Sequence, residues 1–124
     1  MAFNFENLKV WQKSIKLTGS VNKLISSFPI EERYVLSSQI QRAADSIALN
    51  IAEGSTGQSK KEFNRFLGIA LRSGIEVISC LYVGKERNLI KEPVFQEYYD
   101  KTEELIIMIQ ALRKSLKENR NDKK

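Results

Sequence analysis

Apolar residues recur at helical spacing along almost the whole chain, and only two prolines, Pro29 and Pro93, interrupt the pattern. Apolar side chains three and four residues apart share one face of an α-helix, whereas a strand needs strict alternation, which no stretch of this sequence shows. Both prolines stand where a helix would begin, and there the missing N–H costs nothing because it would be unpaired anyway. The sequence therefore predicts an all-α protein.

The apolar spacing divides the chain into four helices. We predict the first over residues 7–27, the second over 29–54, the third from Ser59 to about residue 90 and the fourth from Pro93. Ser59 and Glu62 have the spacing of a capping box. Because short connections make successive helices antiparallel, the expected fold is an up-down-up-down four-helix bundle of residues 1–118. A frayed basic tail, residues 119–124, is expected to follow it.

Each helix of a bundle needs an apolar face for the core. In chain order, the predicted core faces are Leu8, Trp11, Ile15, Thr18, Val21 and Ile25; Leu36, Ile40, Ala43, Ile47 and Ile51; Phe63, Leu67, Ala70, Gly74, Val77 and Leu81; and Phe95, Tyr98, Thr102, Leu105, Ile109, Leu112 and Leu116. Other apolar positions lie outside these faces, and the first and fourth helices have them in excess. We expect four of them, Val10, Leu17, Leu24 and Ile107, to form an interface between subunits; the alternative is broad burial inside a single bundle.

The residue types present exclude several kinds of active site. The 124-residue chain has no histidine and one cysteine, Cys80. This rules out a Ser-His-Asp triad, a Cys-His pair, a Cys/His zinc site and an internal disulfide. We therefore expect a non-enzymatic protein without cofactor or metal. No segment has the pattern of a signal peptide or the length of a membrane helix, and a lone cysteine suits a reducing compartment, so the expected location is cytoplasmic.

Basic residues, which outnumber acidic ones and give the chain a net charge of +5, form a stripe on each of two predicted helices. One stripe of the first helix carries Lys9, Lys13, Lys16 and Lys23. The outward side of the third helix carries Lys61, Arg65 and Arg72. Such faces bind the phosphate backbone of nucleic acids rather than the bases, so these residues are candidate nucleic-acid contacts. The alternative is a charged surface that only keeps the protein soluble.

The connection over residues 54–61 places two glycines, hydroxyl side chains, Lys60 and Lys61 at the start of the third helix. Free N–H groups at a helix N-terminus favour an anion, so this segment is a candidate site for one backbone phosphate. It lacks the preceding strand and the glycine spacing of a nucleotide-binding P-loop. The alternative is a turn followed by a capping box.

A polar seam borders the apolar face of the second helix and meets two polar residues of the third. Its members are Gln39, Arg42, Ser46, Asn50, Glu53, Ser73 and Glu76. Folding the two helices together brings Glu76 to the level of Arg42, so the two are expected to pair with each other or to reach a neighbouring subunit. One or two carboxylates in a seam do not provide a catalytic pair, and we interpret the seam as structural.

Several motifs resemble those of a known family. They are Leu8-Lys-Val-Trp-Gln12, Phe28-Pro29 with Glu32, Gln39, Arg42-Ala-Ala44, Ser46-Ile47, Asn50-Ile-Ala-Glu-Gly54 and the segment from Phe66 to Glu76. In order and spacing the chain resembles, over nearly its full length, the four-helix-bundle proteins encoded in intervening sequences of bacterial 23S ribosomal RNA genes. These are related to the accessory protein of diversity-generating retroelements. Family members often have glycine where this chain has Leu71 or Arg72.

The resemblance implies a bundle that assembles as a ring-like homopentamer and binds nucleic acid, with no enzymatic activity. Together with the lysine stripes, it favours an oligomeric protein that binds structured RNA through phosphate contacts. The alternative is an oligomeric scaffold that recruits a protein partner and has no direct role with nucleic acid.

Overall fold

The computed structural model describes residues 4–57 and 59–122, with side chains described up to residue 118. Within these ranges every regular element is helical. The long helices are α1 (Lys9–Ile25), α2 (Leu36–Ser55), α3 (Lys60–Glu86) and α4 (Val94–Asp122), and short 3-10 helices lie at Asn4–Asn7 and Ile30–Glu32. The prediction of four helices and no strand is confirmed for the described part of the chain.

The four helices pack in chain order around one core. Each helix contacts the next, and α1 closes the bundle against α4. The chain runs in opposite directions in neighbouring helices, because Asn22 of α1 bonds Gln41 of α2 and the Tyr98 hydroxyl of α4 donates to the Ser20 carbonyl of α1. Helices α1 and α3 therefore lie diagonally across the bundle, with α4 on one side between them.

The predicted core faces of α2, α3 and α4 are confirmed. The fully or nearly fully buried residues on them are Leu36, Ile40, Ala43, Ile47, Ile51, Leu67, Ala70, Gly74, Val77, Leu81, Phe95, Tyr98, Thr102, Leu105 and Ile109. Close contact of α2 with α3 depends on Gly54, since a Cβ there would lie 2.6 Å from the Cβ of Phe66. The Cβ of Phe66 is fixed to the backbone and cannot move aside by a rotamer change, so position 54 requires glycine.

The prediction for α1 is confirmed only in part. Val21 is fully buried as predicted, and Leu8, Trp11 and Ile25 pack against the core while partly exposed, but the rest of the buried face is the other apolar row. Val10, Leu17 and Leu24 are only 5%, 4% and 7% exposed, whereas Ile15, predicted for the core, is 43% exposed. The buried row also includes Ser14, whose hydroxyl donates to the Trp11 carbonyl at 2.6 Å. Val10, Leu17 and Leu24 are thus buried within the chain's own core and do not form a surface for a second subunit. Of the four predicted interface residues, only Ile107 is exposed, at 60%.

Two helix ends also differ from their predicted positions. After Pro29 the chain forms one 3-10 turn, and α2 begins only at Leu36. Helix α4 continues to Asp122, beyond the predicted end of the bundle at residue 118, because its last residues include the good helix formers lysine, glutamate and arginine. The last two residues of the predicted tail lie outside the described residues.

Helix α3 is long and apolar enough by composition to cross a membrane. The same composition is typical of a helix in a bundle core, and α3 packs against both α2 and α4. Its buried residues include Leu67, Val77 and Leu81. The length and composition of this helix are therefore accounted for by its position in the bundle.

The start of α3 is capped as predicted, because the Ser59 hydroxyl accepts a hydrogen bond from the Glu62 N–H at 3.1 Å. We expect Ser59→Ala to lower the free energy of unfolding by about 1 kcal/mol, since one N–H of the first turn loses its partner. Urea denaturation measures this loss. Ser79→Ala, an exposed change within the same helix, is the control and should not destabilise the protein; an unchanged stability of Ser59→Ala would contradict the capping role.

Candidate nucleic-acid interface

The face formed by α3 and α4 is strongly polarised in charge. Where α3 from Lys60 to Arg72 packs beside α4 from Leu105 to Glu118, there are seven basic and two acidic residues. Where α3 from Ser73 to Glu86 packs beside α4 from Val94 to Glu104, there are two basic and six acidic residues. We call the seven basic residues of the first region the basic end: Lys60, Lys61, Arg65, Arg72, Arg113, Lys114 and Lys117.

Packing holds part of the basic end in place. The Arg113 Nε donates to the Asn64 side-chain carbonyl at 2.9 Å, and a second guanidinium nitrogen lies 3.3 Å from Gln110 Oε1. The Arg65 guanidinium lies 4.5 Å from the centre of the Phe66 ring. Between α3 and α4 these arginines and Lys61 line a cleft of about 340 Å³, together with Ser59, Glu62 and Asn64. Three cations against one carboxylate, that of Glu62, leave the cleft with a net positive charge, which favours a phosphate group.

The lysines of the first helix divide into two groups. The Lys13 ammonium lies 2.6 Å from a Glu104 carboxylate oxygen, so its charge is partly neutralised within the chain. Lys9 is exposed and lies one turn before Lys13, on the side toward the basic end, because α1 and α4 are antiparallel. Lys16 lines a cleft with Lys101 and Glu104, beside the acidic part of α4. Lys23 lies beyond Ser20, still farther along that part. The structure therefore leaves only Lys9 of the four α1 lysines toward the basic end.

The structure also adds three residues to the predicted set. Arg113, Lys114 and Lys117 lie on the C-terminal half of α4, where Arg113 lines one cleft with Lys61 and Arg65 of α3. Lys13 and Lys16 of α1 lie beside Lys101 and Glu104 instead, so they belong to another part of the surface. In the sequence Arg113, Lys114 and Lys117 indicate only favourable interactions with the helix dipole. Their place in the basic end follows from the packing of α4 against α3.

The polar seam forms a hydrogen-bonded network at its centre. The hydroxyl oxygens of Ser46 and Ser73 lie 2.9 Å apart, and the Asn50 amide donates to the Ser46 Oγ at 3.0 Å. Glu76 accepts a weak hydrogen bond of 3.5 Å from Gln39. The expected pairing of Glu76 with Arg42 is wrong within the chain. Arg42 is exposed and lines a cleft beside this network without an ion pair to Glu76, and Glu53 is exposed.

Cys80 is buried in the core and has no catalytic environment. Burial, with a smaller contribution from the Glu76 carboxylate, raises the pKa of its thiol from 9.0 to about 11. We therefore expect a thiol reagent at pH 8 to label the folded protein at least about 100-fold more slowly than the urea-unfolded protein, because the reactive thiolate is that much rarer. Equal labelling rates in the two states would contradict this environment.

Comparisons with known proteins agree with the bundle. The model of the 23S rRNA-intervening sequence protein family matches residues 6–111. A solved structure, that of a protein with unknown function from the S23 ribosomal protein family of Bacteroides thetaiotaomicron VPI-5482, superimposes with a TM-score of 0.79 at 25% sequence identity. The match covers 85% of this chain and 95% of that one. No protein of curated function matches this sequence.

Proposed function

Because the chain belongs to the family of 23S rRNA-intervening sequence proteins, we propose that it is a non-enzymatic, cytoplasmic, homo-oligomeric protein that binds structured RNA. The observation that carries this proposal is the charge separation along the α3–α4 face. A net charge of +5 is modest, but most of the excess lies at one end, where rigid helices hold the cations. Such a surface attracts phosphates strongly and has little means of distinguishing bases.

Assembly increases the effect of each basic end. In a homo-oligomer every subunit presents the same cations, so contacts that are weak individually bind one long polyanion together. A homopentameric ring, the assembly that the family resemblance implies, would present five copies. The subunit count is measured directly by light scattering of the purified protein.

Lysine footprinting tests where RNA binds. We expect an RNA hairpin to protect Lys61, Lys114 and Lys117 from acetylation, because phosphates would cover their ammonium groups. Lys23 and Lys91 are exposed outside the basic end and serve as internal controls that should react equally with and without RNA. Uniform protection of all five lysines, or protection of none, would contradict a localised RNA site.

The second candidate function is a protein-recruiting scaffold. The observation that favours it is the exposure of large apolar side chains away from the basic end, among them Tyr34 and Ile30. Contiguous exposed apolar side chains mark protein interfaces more often than they mark nucleic-acid sites. A scaffold would keep its solution mass while showing no affinity for RNA even at low salt.

A further inference from the structure

An open groove lies between the C-terminal part of α1 and the N-terminal part of α2. It has a volume of about 640 Å³, and Ile25, Phe28 and Pro29 supply apolar lining. At its rim stand Ile30, 76% exposed, and Tyr34, 85% exposed. Because these two side chains extend into solvent, a partner that covers them must be larger than a small molecule seated within the groove.

The groove is positively charged although it lies away from the basic end. Arg33 and Arg42 both line it, and no carboxylate does. The Arg33 guanidinium lies 5.7 Å from the centre of the Tyr34 ring, and neither arginine forms an ion pair with any described residue. Glu32, the nearest acid in sequence to Arg33, is paired with Arg87 at 3.4 Å. An acidic partner with an apolar anchor therefore fits this surface.

The outward face of α4 has that composition. Asp100, Glu103 and Ile107 follow one another at intervals of three and four residues, so they lie on one face of the helix. All three are exposed. Glu103 has no ion pair within the described residues, and Ile107 is 60% exposed. This face offers one apolar anchor, Ile107, and two carboxylates that complement the charges of Arg33 and Arg42.

We propose that the groove at Arg33, Tyr34 and Arg42 binds the Asp100–Glu103–Ile107 face of α4 from a second copy of this chain. The groove is formed by α1 and α2, whereas the ligand face is on α4, which is diagonal to α2. The two surfaces differ and lie on different sides of the bundle, so the contact is heterologous. Heterologous contacts close into rings when the rotation between subunits permits.

This proposal rests on the homo-oligomeric part of the proposed function and leaves the basic end free, because the basic residues of α4 lie beyond Ile107. A charge-swap experiment tests it by light scattering. We expect Arg33→Glu with Arg42→Glu, and separately Asp100→Lys with Glu103→Lys, to reduce the mass to that of the 14.2 kDa monomer. Each change places like charges opposite each other across the contact.

Restoration of assembly is the decisive observation. Combining all four changes in one chain restores opposite charges across every contact and should restore the wild-type mass. Lys9→Glu with Lys91→Glu makes the same change in net charge as the groove variant at exposed positions outside the groove and should leave the mass unchanged. Circular dichroism establishes that each variant is folded.

Three results would overturn the proposal: a monomeric wild type, wild-type mass in both charge-reversed variants, or failure of the combined chain to assemble. RNA binding by the same variants shows whether the proposed subunit contact alone is wrong or the proposed RNA-binding function is wrong as well. A groove variant that is monomeric should still bind RNA, more weakly, because it keeps its basic end. Loss of RNA binding in the wild type would concern the proposed function alone.

Discussion

Replacing both Lys61 and Lys114 by glutamate is expected to weaken binding of an RNA hairpin on the order of 100-fold at about 50 mM salt. Lys61 lies on α3 and Lys114 on α4, and both are exposed at the basic end. Each phosphate contact that is lost reduces the number of counterions released on binding by about one. The slope of log affinity against log salt should therefore become shallower by about two. Fluorescence anisotropy with a labelled hairpin measures both quantities.

The matched control for this variant is Lys23→Glu with Lys91→Glu. Both double variants reduce the net charge from +5 by the same amount, but Lys23 and Lys91 lie outside the basic end. Salt screens charges that are more than about 10 Å from the bound phosphates, so the control should lose little affinity at physiological salt. Equal losses in the two variants would contradict a localised site and would indicate attraction to net charge alone.

The largest expected effect on stability comes from the centre of the core. Ile47 on α2 is fully buried, and its Cδ1 lies 3.8 Å from the position that a Cβ on Gly74 of α3 would occupy. Ile47→Ala should lower the free energy of unfolding by about 2–5 kcal/mol, because it removes buried apolar surface and leaves a cavity between closely packed helices. Urea denaturation with a circular dichroism readout measures the loss.

Ile75→Ala provides the comparison for this prediction. Ile75 is 54% exposed, so the same change in residue type removes little buried surface and should alter stability by less than about 0.5 kcal/mol. A similar loss in both variants would contradict the assignment of Ile47 to the core and of Ile75 to the surface.

The cores of α2, α3 and α4 could be predicted from the sequence, because the row of apolar residues chosen at helical spacing in each helix is the row that the structure buries. Helix α1 has two apolar rows, and the buried one is interrupted by a polar residue, Ser14. Apolarity alone therefore favoured the wrong row. A serine tolerates burial in a helix when its hydroxyl bonds a preceding carbonyl, as Ser14 does to Trp11. Choosing the correct row required the positions of α2 and α4.

The candidate site was predictable only in its separate parts. Stripes of lysine and arginine on α1 and α3 can be identified within each helix from the spacing of residues. Whether two stripes form one surface depends on which helices are neighbours, and α1 and α3 are diagonal. Arg113, Lys114 and Lys117 could not be assigned to the basic end from α4 alone, because basic residues near a helix C-terminus have an ordinary explanation in the helix dipole.

The most direct test of RNA binding through the basic end is a titration of the wild-type protein with an RNA hairpin over a series of salt concentrations. We predict tight binding at about 50 mM salt and an affinity that falls by orders of magnitude by about 200 mM, because several counterions are released. No binding at the lowest salt, or an affinity that does not change with salt, would contradict the proposed function.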